Sequence, residues 1–557
     1  MKKSLFLSIL FVFLSLPIFS SPRGEQELVP SGHWVYDALE SLKLEMARTA
    51  FTDQAPLSIQ QIRTFMTDID YESLSDSGKL QYDSILSYFK ENSFSLDQGF
   101  LSIGVEMIIT PELYFKPNYE TYQIYDKYEK AAILEVPAKL NLGSYFTGCM
   151  DFSVRQNNTV MQNETQFTNQ AFTYDTFDPY LTHTNYFSIG HVIDNVGFNL
   201  RFGSGTQSIG RSALESIILS DHLTDTPYIN LSLYSTFFQY VCNITQLNSS
   251  TILYTHRFDL RLFKKITFSF LEGILPYSAF DLRFLTPMSI YHSFGLFEQY
   301  DLASYFAIKV DITPVKYLRL YVLYAQDEHQ LSTEKAAGEG YIPEGLGFQA
   351  GIESYIPYND GYFHIWTEFF YADPYLYIKD SPNFSFVKTS SGMGRDRDNM
   401  YEWIGSPFGP DSIAAKFSLG YEKIGKWSLN ATYIFGALGE FADDSIFTNC
   451  GWNKENQNVN LANWIYPQNA EHKGATFTSP HGIPEYVNEL YLTYSLQPVK
   501  FLSLKVQPGY VMIFNKGHKT NNFVQGFECA FSCKMYLNKL QSGKSISNFL
   551  LSDGKEK

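Results

Sequence analysis

Apolar and polar residues alternate through most of the chain. In RFDLRLFKKITFSF, Phe258, Leu260 and Leu262 alternate with Arg257, Asp259 and Arg261; beyond Lys264 and Lys265, Ile266, Phe268 and Phe270 alternate with Thr267 and Ser269. A period of two places each set on its own face of a strand. The construction recurs. Phe306, Ile308, Val310 and Ile312 are answered across a turn by Leu318, Leu320, Val322 and Tyr324. Phe417, Leu419 and Tyr421 are answered by Trp427, Leu429, Ala431 and Tyr433, and Leu490, Leu492, Tyr494 and Leu496 by Leu502, Leu504 and Val506. Each pair reads as a hairpin closed by a short, lysine-bearing turn.

Residues 28–92 follow a different period. Val35, Leu39, Leu42 and Met46 recur at helical spacing, as do Ile59, Ile62 and Met66 behind an N-cap at Ser58, and Tyr82, Ile85, Leu86 and Phe89. Three short helices bury too little surface to stand alone, so the bundle is expected to pack against something else. The segments PSGHWVYDALESL and PLSIQQIRTF also look like an S-layer homology module, which makes peptidoglycan a candidate partner beside the favoured reading of a plug.

Between the hairpins run long polar connections at 152–184, 373–411 and 437–484. Tight turns alternating with long loops are unusual in a compact soluble domain. They are the pattern of an outer-membrane barrel, with short turns on the periplasmic side and long loops outside. Residues from about 99 to 537 leave room for about 16 to 18 antiparallel strands of roughly 10 residues, 18 being favoured. The last of these reads GFECAFSCKMYL, and a polar tail follows it instead of a terminal aromatic.

Composition agrees with this picture. Aromatics make up 17% of the residues, and charged residues 18%. After the N-terminus there is no apolar run of the roughly 20 residues a helix needs to cross a bilayer. The start, MKKSLFLSILFVFLSLPIFSS, has a basic n-region, an apolar core and a small-residue exit, and is read as a secretory signal peptide at 1–21. Net charge is −16, or −18 without Lys2 and Lys3, which argues against nucleic acid as a partner. Cys149, Cys242, Cys450, Cys529 and Cys533 are scattered and odd in number, with no disulfide framework or zinc spacing. The expected organisation is a signal peptide (1–21), a periplasmic helical bundle (22–95), an all-β outer-membrane barrel (96–538) and a polar tail (539–557).

Several blocks in order resemble the Wzi-like capsule assembly family of outer-membrane barrels. They are IGHVIDNVGFNLRFGSGTQSIGRSALESIILSDHLTDTPYINLSL, a glycine-rich block with its following strand, and THRFDLRLFKKITFSFLEGILPYS, a His-Arg strand with a Lys-bearing turn. LRFLTPMSIYHS and VKYLRLYVLYAQDE complete the series. The likeness is densest from 185 to 330. The family's glycine block usually carries tryptophans, whereas here Phe202 precedes Gly203. The resemblance implies an 18-stranded barrel over a periplasmic bundle, and a lectin-like role in holding capsular polysaccharide.

Enzymatic motifs are thin. STEK (332–335) lies in a polar loop without partner motifs. GSGTQSIG (203–210) lacks the dinucleotide-binding register and reads as a tight turn or constriction loop. A non-enzyme is expected, with no cofactor and no metal. Charge on a lipid face is costly, so His256, Arg257, Asp259, Arg261, Glu272, Lys309, Asp311, Arg319, Asp327 and Glu328 are expected to face the lumen or its rim. They either pair with one another or line a sugar- or ion-selective path. The expected function is binding or anchoring of surface polysaccharide through aromatic and acidic groups in loops 152–184, 373–411 and 437–484. The alternatives are a porin, tied to the cell wall or not, and a surface adhesin.

Overall fold

The computed structural model describes residues 23–90, 94–122, 131–156, 166–169, 179–182, 184–248, 251–276, 280–286, 288–294, 302–328, 345–379, 385–391, 399–442 and 478–540. The segment read as a signal peptide, Cys450 and much of the long loops lie outside them.

The strands close into an 18-stranded antiparallel barrel. Strand β1 is interrupted, running as Leu101–Val105, Ile108–Ile109 and Glu112–Phe115. It is followed by β2 (Leu134–Leu142), β3 (Phe146–Gln156), β4 (Asn185–Ile193), β5 (Val196–Gly205) and β6 (Thr226–Tyr234). Next come β7 (Phe238–Gln246), β8 (Ile252–Leu262), β9 (Ile266–Pro276), β10 (Leu302–Ile312), β11 (Leu318–Glu328) and β12 (Gly345–Tyr358). The last are β13 (Gly361–Ala372), β14 (Ser412–Lys423), β15 (Trp427–Leu438), β16 (Glu485–Val499), β17 (Leu502–Phe514) and β18 (Phe523–Tyr536). Each pairs with the next, and β18 pairs back onto β1 through Ser532↔Glu112 and Met535↔Ile109. Pairing of the last strand with the first closes the sheet on itself, which the interior of a bilayer requires.

The period-two pattern places Leu260, Leu262, Phe268, Val322, Phe417, Leu419, Leu490 and Phe531 outward, all exposed. An apolar surface this extensive marks contact with lipid and not water. Among the described residues no helix is long and apolar enough to cross a membrane, so crossing falls to the strands.

Turn lengths segregate by end. One end carries tight turns, among them 143–145, 194–195, 263–265, 359–360 and 424–426. Asp194 and Asn195 have φ of 48° and 69° there, the left-handed pair of a hairpin turn whose twist matches the flanking strands. Connections at the other end are mostly long. The chain also enters the barrel at the short-turn end, behind helices α1 (Trp34–Glu45), α2 (Ile59–Met66) and α3 (Asp76–Phe89).

The helices form where the spacing predicts. Ser58 caps α2 in a capping box with Gln61. Val35, Leu39, Leu42, Ile62, Ile85 and Phe89 are buried in one core with Phe51 and Phe65. The wall adds little to that core: Tyr234 is buried in it and Val192 packs against it. Apart from Leu44, buried against Tyr355 and Tyr362 of the wall, what joins bundle to wall is mainly polar.

Candidate functional site in the plugged lumen

The bundle docks inside the short-turn mouth. Leu44 accepts a hydrogen bond from the Tyr317 amide at 2.7 Å, the Thr49 amide donates to Lys264 at 2.9 Å, and Ser77 Oγ donates to the Asn359 carbonyl at 2.7 Å. Residues of three different short turns are thus tied to the plug.

Deeper in, an alternating chain of charges crosses the plug–wall boundary. Asp53, in the segment between α1 and α2, pairs with both Arg257 and Lys309. Arg257 Nε also donates to Asp259 at 2.7 Å, and Lys309 also pairs with Asp311. Arg319 continues the series, donating to Asp311 at 2.6 Å and to Glu353 at 2.7 Å. Glu353 pairs with Arg211, which reaches Asp37 of α1 at 2.7 Å. Asp68, just after α2, takes Arg261 at 2.7 Å and the turn residue Lys264 at 2.8 Å. Buried charges survive only when paired and hydrogen-bonded, and these are.

Electrostatics on the plug side follows from burial and partners. Burial would raise the Asp53 carboxyl, but Arg257 and Lys309 outweigh it and hold it far below the usual carboxylate range. Asp68 is lowered in the same way, burial being outweighed by Lys264 and Arg261. Glu40 goes the other way: burial dominates the attraction of Arg319 and raises it. Burial, helped by Arg261, pushes the Lys43 ammonium down to about 8.

A second layer of the lumen lies beyond the bundle. The loop 206–225, which holds the end of the glycine block, folds inward. Its Ser208–Ile209 pair with Gln54–Ala55 of the plug. Glu368 of β13 accepts the amides of Ala213 at 2.7 Å and Leu214 at 3.1 Å, and Gln349 of β12 accepts that of Ile217 at 2.8 Å. Leu214 and Ile217 are fully buried among Leu323, Phe370, Tyr377 and Trp403. The glycine-rich stretch is thus no phosphate cradle; its loop is a constriction.

Of the ten residues expected in the lumen, Arg257, Asp259, Arg261, Lys309, Asp311, Arg319 and Asp327 do point inward, all buried. Six of them contact the plug or the inner loops, and Asp311 pairs with Lys309 and Arg319 of the wall. Asp327 accepts the Tyr377 amide at 2.7 Å and so anchors the loop after β13. The Glu328 side chain lies outside the described residues. His256 and Glu272 depart from expectation. They share the face of Phe258 and Phe270, outside the barrel, and pair with each other at 2.9 Å. Residues 280–286 and 288–294 fold over them on the outer wall. Tyr291 stacks on His256 with centroids 4.4 Å apart, and Glu272 accepts the amides of Tyr291 at 3.1 Å and His292 at 2.7 Å. That flap removes the charge cost that made an outward position look forbidden.

A second correction concerns the loop 373–411. Its rings were expected to meet sugar at the surface. Tyr375, Tyr377, Tyr401 and Trp403 are instead buried in the apolar cluster inside the barrel. Of the other two loops, residues 157–165, 170–178, 183 and 443–477 lie outside the described residues.

Sequence reasoning missed Asp53, Asp68, Arg211, Glu353 and Glu368. Glu353 and Glu368 sit at inward positions of strands whose alternation is legible in the sequence. The first three lie in irregular segments, where no period assigns a face.

No protein-family model matches the sequence, and no curated protein matches it. Solved structures do. The chain is similar to Wzi of Escherichia coli, described as an outer-membrane protein involved in group 1 capsule assembly and a carbohydrate-binding β-barrel, with a TM-score of 0.56 at 11% identity over 92% of this chain and 99% of that one. The fold is that of an outer-membrane barrel. Looser similarity extends to the outer-membrane channel DcaP of Acinetobacter baumannii (TM-score 0.34, 9% identity, 79% of this chain and 99% of that one) and to OprD of Pseudomonas aeruginosa (TM-score 0.37, 8% identity, 80% and 100%).

Proposed function

We propose that the protein is a plugged outer-membrane barrel that binds or anchors surface polysaccharide without catalysis. The bundle lies at the periplasmic mouth and the long loops face outward. The observation that carries this reading is the state of the lumenal cations. In a pore, Arg257, Lys309 and Arg319 would meet passing solute. Here their side chains are 3%, 1% and 3% exposed, and each is held by a carboxylate of the plug or the wall. A lumen filled in this way suits a binding role, and the carbohydrate-binding description of Wzi points the same way. Loops 152–184 and 437–484 are the proposed contacts, since rings stack on apolar sugar faces and carboxylates accept hydroxyl hydrogens.

A channel is the second reading. It draws on the inward faces of Thr493, Ser495, Lys505 and Gln507, which stay half-buried or exposed. Planar-bilayer conductance of the purified protein, run beside a glycan array, separates the two. The binding reading expects a silent bilayer and retained glycan; large stable conductance with a blank array would overturn it.

A further inference from the structure

The two sides of the lumenal wall are finished differently. On β6 and β7 the inward polar groups are buried and bonded to one another: Asn230 donates to Asn243 at 3.1 Å, Ser232 to Asn230 at 3.0 Å, and Asn243 to Thr245 at 2.9 Å. On β15 to β18, Ser428, Thr493, Ser495, Lys505, Gln507 and Ser532 face the same lumen. They are half-buried or exposed, and among the described residues they make no side-chain hydrogen bond or ion pair to the protein.

Exposure falls steadily away from the short turns. Along β15, Ser428 and Asn430 are half-buried, Thr432 is 3% exposed and Ile434 is 1% exposed. Glu489 and Val511, in register beside Ile434, are fully buried. Six residues of strand span about 20 Å. The inward face of β15 to β18 thus bounds a chamber that is accessible near the short-turn end and closed at the level of Ile434.

Its lining has a definite chemistry. Most of it is hydroxyl and amide. Trp366 and Tyr491 are half-buried on inward positions; the Arg211 guanidinium covers the Trp366 ring at 4.7 Å. The Lys505 ammonium is exposed and, among the described residues, has no carboxylate partner. Glu422 lies three strands away, about 14 Å. Glu112, two strands away in the other direction, already accepts from Tyr114 and from the Ala131 amide. Lys534, diagonal to Lys505 across the β17–β18 register, has Glu135 as its counter-charge.

We infer that this chamber binds a short acidic saccharide, with its carboxylate on Lys505 and its hydroxyls on the side chains of β15 to β18. The site opens at the end opposite the long loops, so it goes beyond the surface-glycan reading and stands independently of it. Calorimetric titration of the full-length protein in detergent, with trigalacturonate as probe and maltotriose as its neutral counterpart, tests it. Trigalacturonate is expected to bind at least tenfold more tightly than maltotriose. Lys505→Gln should weaken it about tenfold, Lys505→Arg should restore it, and Ser495→Trp, which fills the chamber, should abolish it, all with unchanged thermal melting. Absence of trigalacturonate binding, equal affinity for maltotriose, or affinity unchanged in Lys505→Gln overturns the inference. Glycan-array binding is the separate readout: its loss with trigalacturonate binding intact removes the surface reading alone, and the converse removes the chamber alone.

Discussion

Replacing Asp53 by Ala tests whether charge holds the plug in the barrel. Asp53 lies between Arg257 and Lys309, whose side chains are 3% and 1% exposed. Removing one member of a buried ion pair costs about 3–5 kcal/mol, because the partner is left buried and uncompensated. Each cation keeps one carboxylate, Asp259 for Arg257 and Asp311 for Lys309, so the lower end applies, about 3 kcal/mol. That is roughly a hundredfold shift in the docking equilibrium. The apolar contacts are too few to absorb the loss: among the described residues the wall gives Tyr234 and Val192 to the bundle's main cluster, and Tyr355 and Tyr362 pack on Leu44. Limited proteolysis of the detergent-solubilised protein reads the result. Asp53→Ala should be cut within 28–92 at a rate the wild type reaches only in denaturant, while the strands stay protected. A second substitution, Lys309→Met, should recover part of the loss by removing the stranded charge. Equal protection of the bundle in wild type and Asp53→Ala would refute the electrostatic latch. The pH dependence has a fixed sign. A carboxyl lowered on folding contributes stability that is present above its unfolded value and is lost only as pH falls through its folded one. Asp53 and Asp68 are both lowered, so docking should persist through mildly acidic conditions.

Other outcomes follow from the same contacts. Lys43 is buried, with its ammonium pushed down to about 8, so folding disfavours its charge and bundle stability should rise between pH 8 and about 10.5; Lys43→Met should raise the bundle's urea midpoint at pH 7 and flatten that rise. Gly351→Val should lower the melting temperature at a cost of about 2–4 kcal/mol, because a Cβ there would lie 2.3 Å from the Tyr321 ring, whose hydroxyl donates to Glu368. Glu272→Ala should cost about 1–3 kcal/mol and expose 280–294 to protease without opening the barrel, because His256 and the amides of Tyr291 and His292 lose their shared acceptor; a flap that stays protected contradicts its assignment to that anchor.

The wall was legible in the sequence because a membrane barrel enforces alternation at nearly every position. Phe258, Leu260 and Leu262 lie on the lipid face, and Arg257, Asp259 and Arg261 point inward, as the period of two requires. The helices were legible for the matching reason, with Ser58 capping α2 and Val35, Leu39 and Leu42 in the core. His256 and Glu272 were misplaced because cost was weighed without a cover. Their parity already put them with Phe258 and Phe270, but nothing local announces that residues 280–286 and 288–294 return to the outer wall. The rings of 373–411 were misplaced because a long polar loop can fold into a large barrel as readily as away from it. Asp53 was invisible, since its partners are more than 200 positions away.

The polar character of the plug's contacts follows from the barrel itself. Strands that face lipid on one side and a lumen on the other spend their apolar residues outward, so the inner wall offers a plug mostly charges, hydroxyls and amides. A small bundle entering such a wall keeps its hydrophobic core to itself and carries complementary charges on its outer surface, as Asp37, Glu40, Asp53 and Asp68 do. The inward loop 206–225 follows the other course. It brings its own apolar side chains, Leu214 and Ile217, and meets Tyr377 and Trp403 from another loop, so the seal away from the short turns is hydrophobic. The two layers inside the lumen are therefore held by two different forces. Acid or the loss of a charge should loosen the bundle before the inner loop, whereas detergent or heat should act on both. A plug released by charge removal with the inner loop still in place would leave the barrel sealed, so the bilayer silence expected for the binding reading does not depend on the bundle alone.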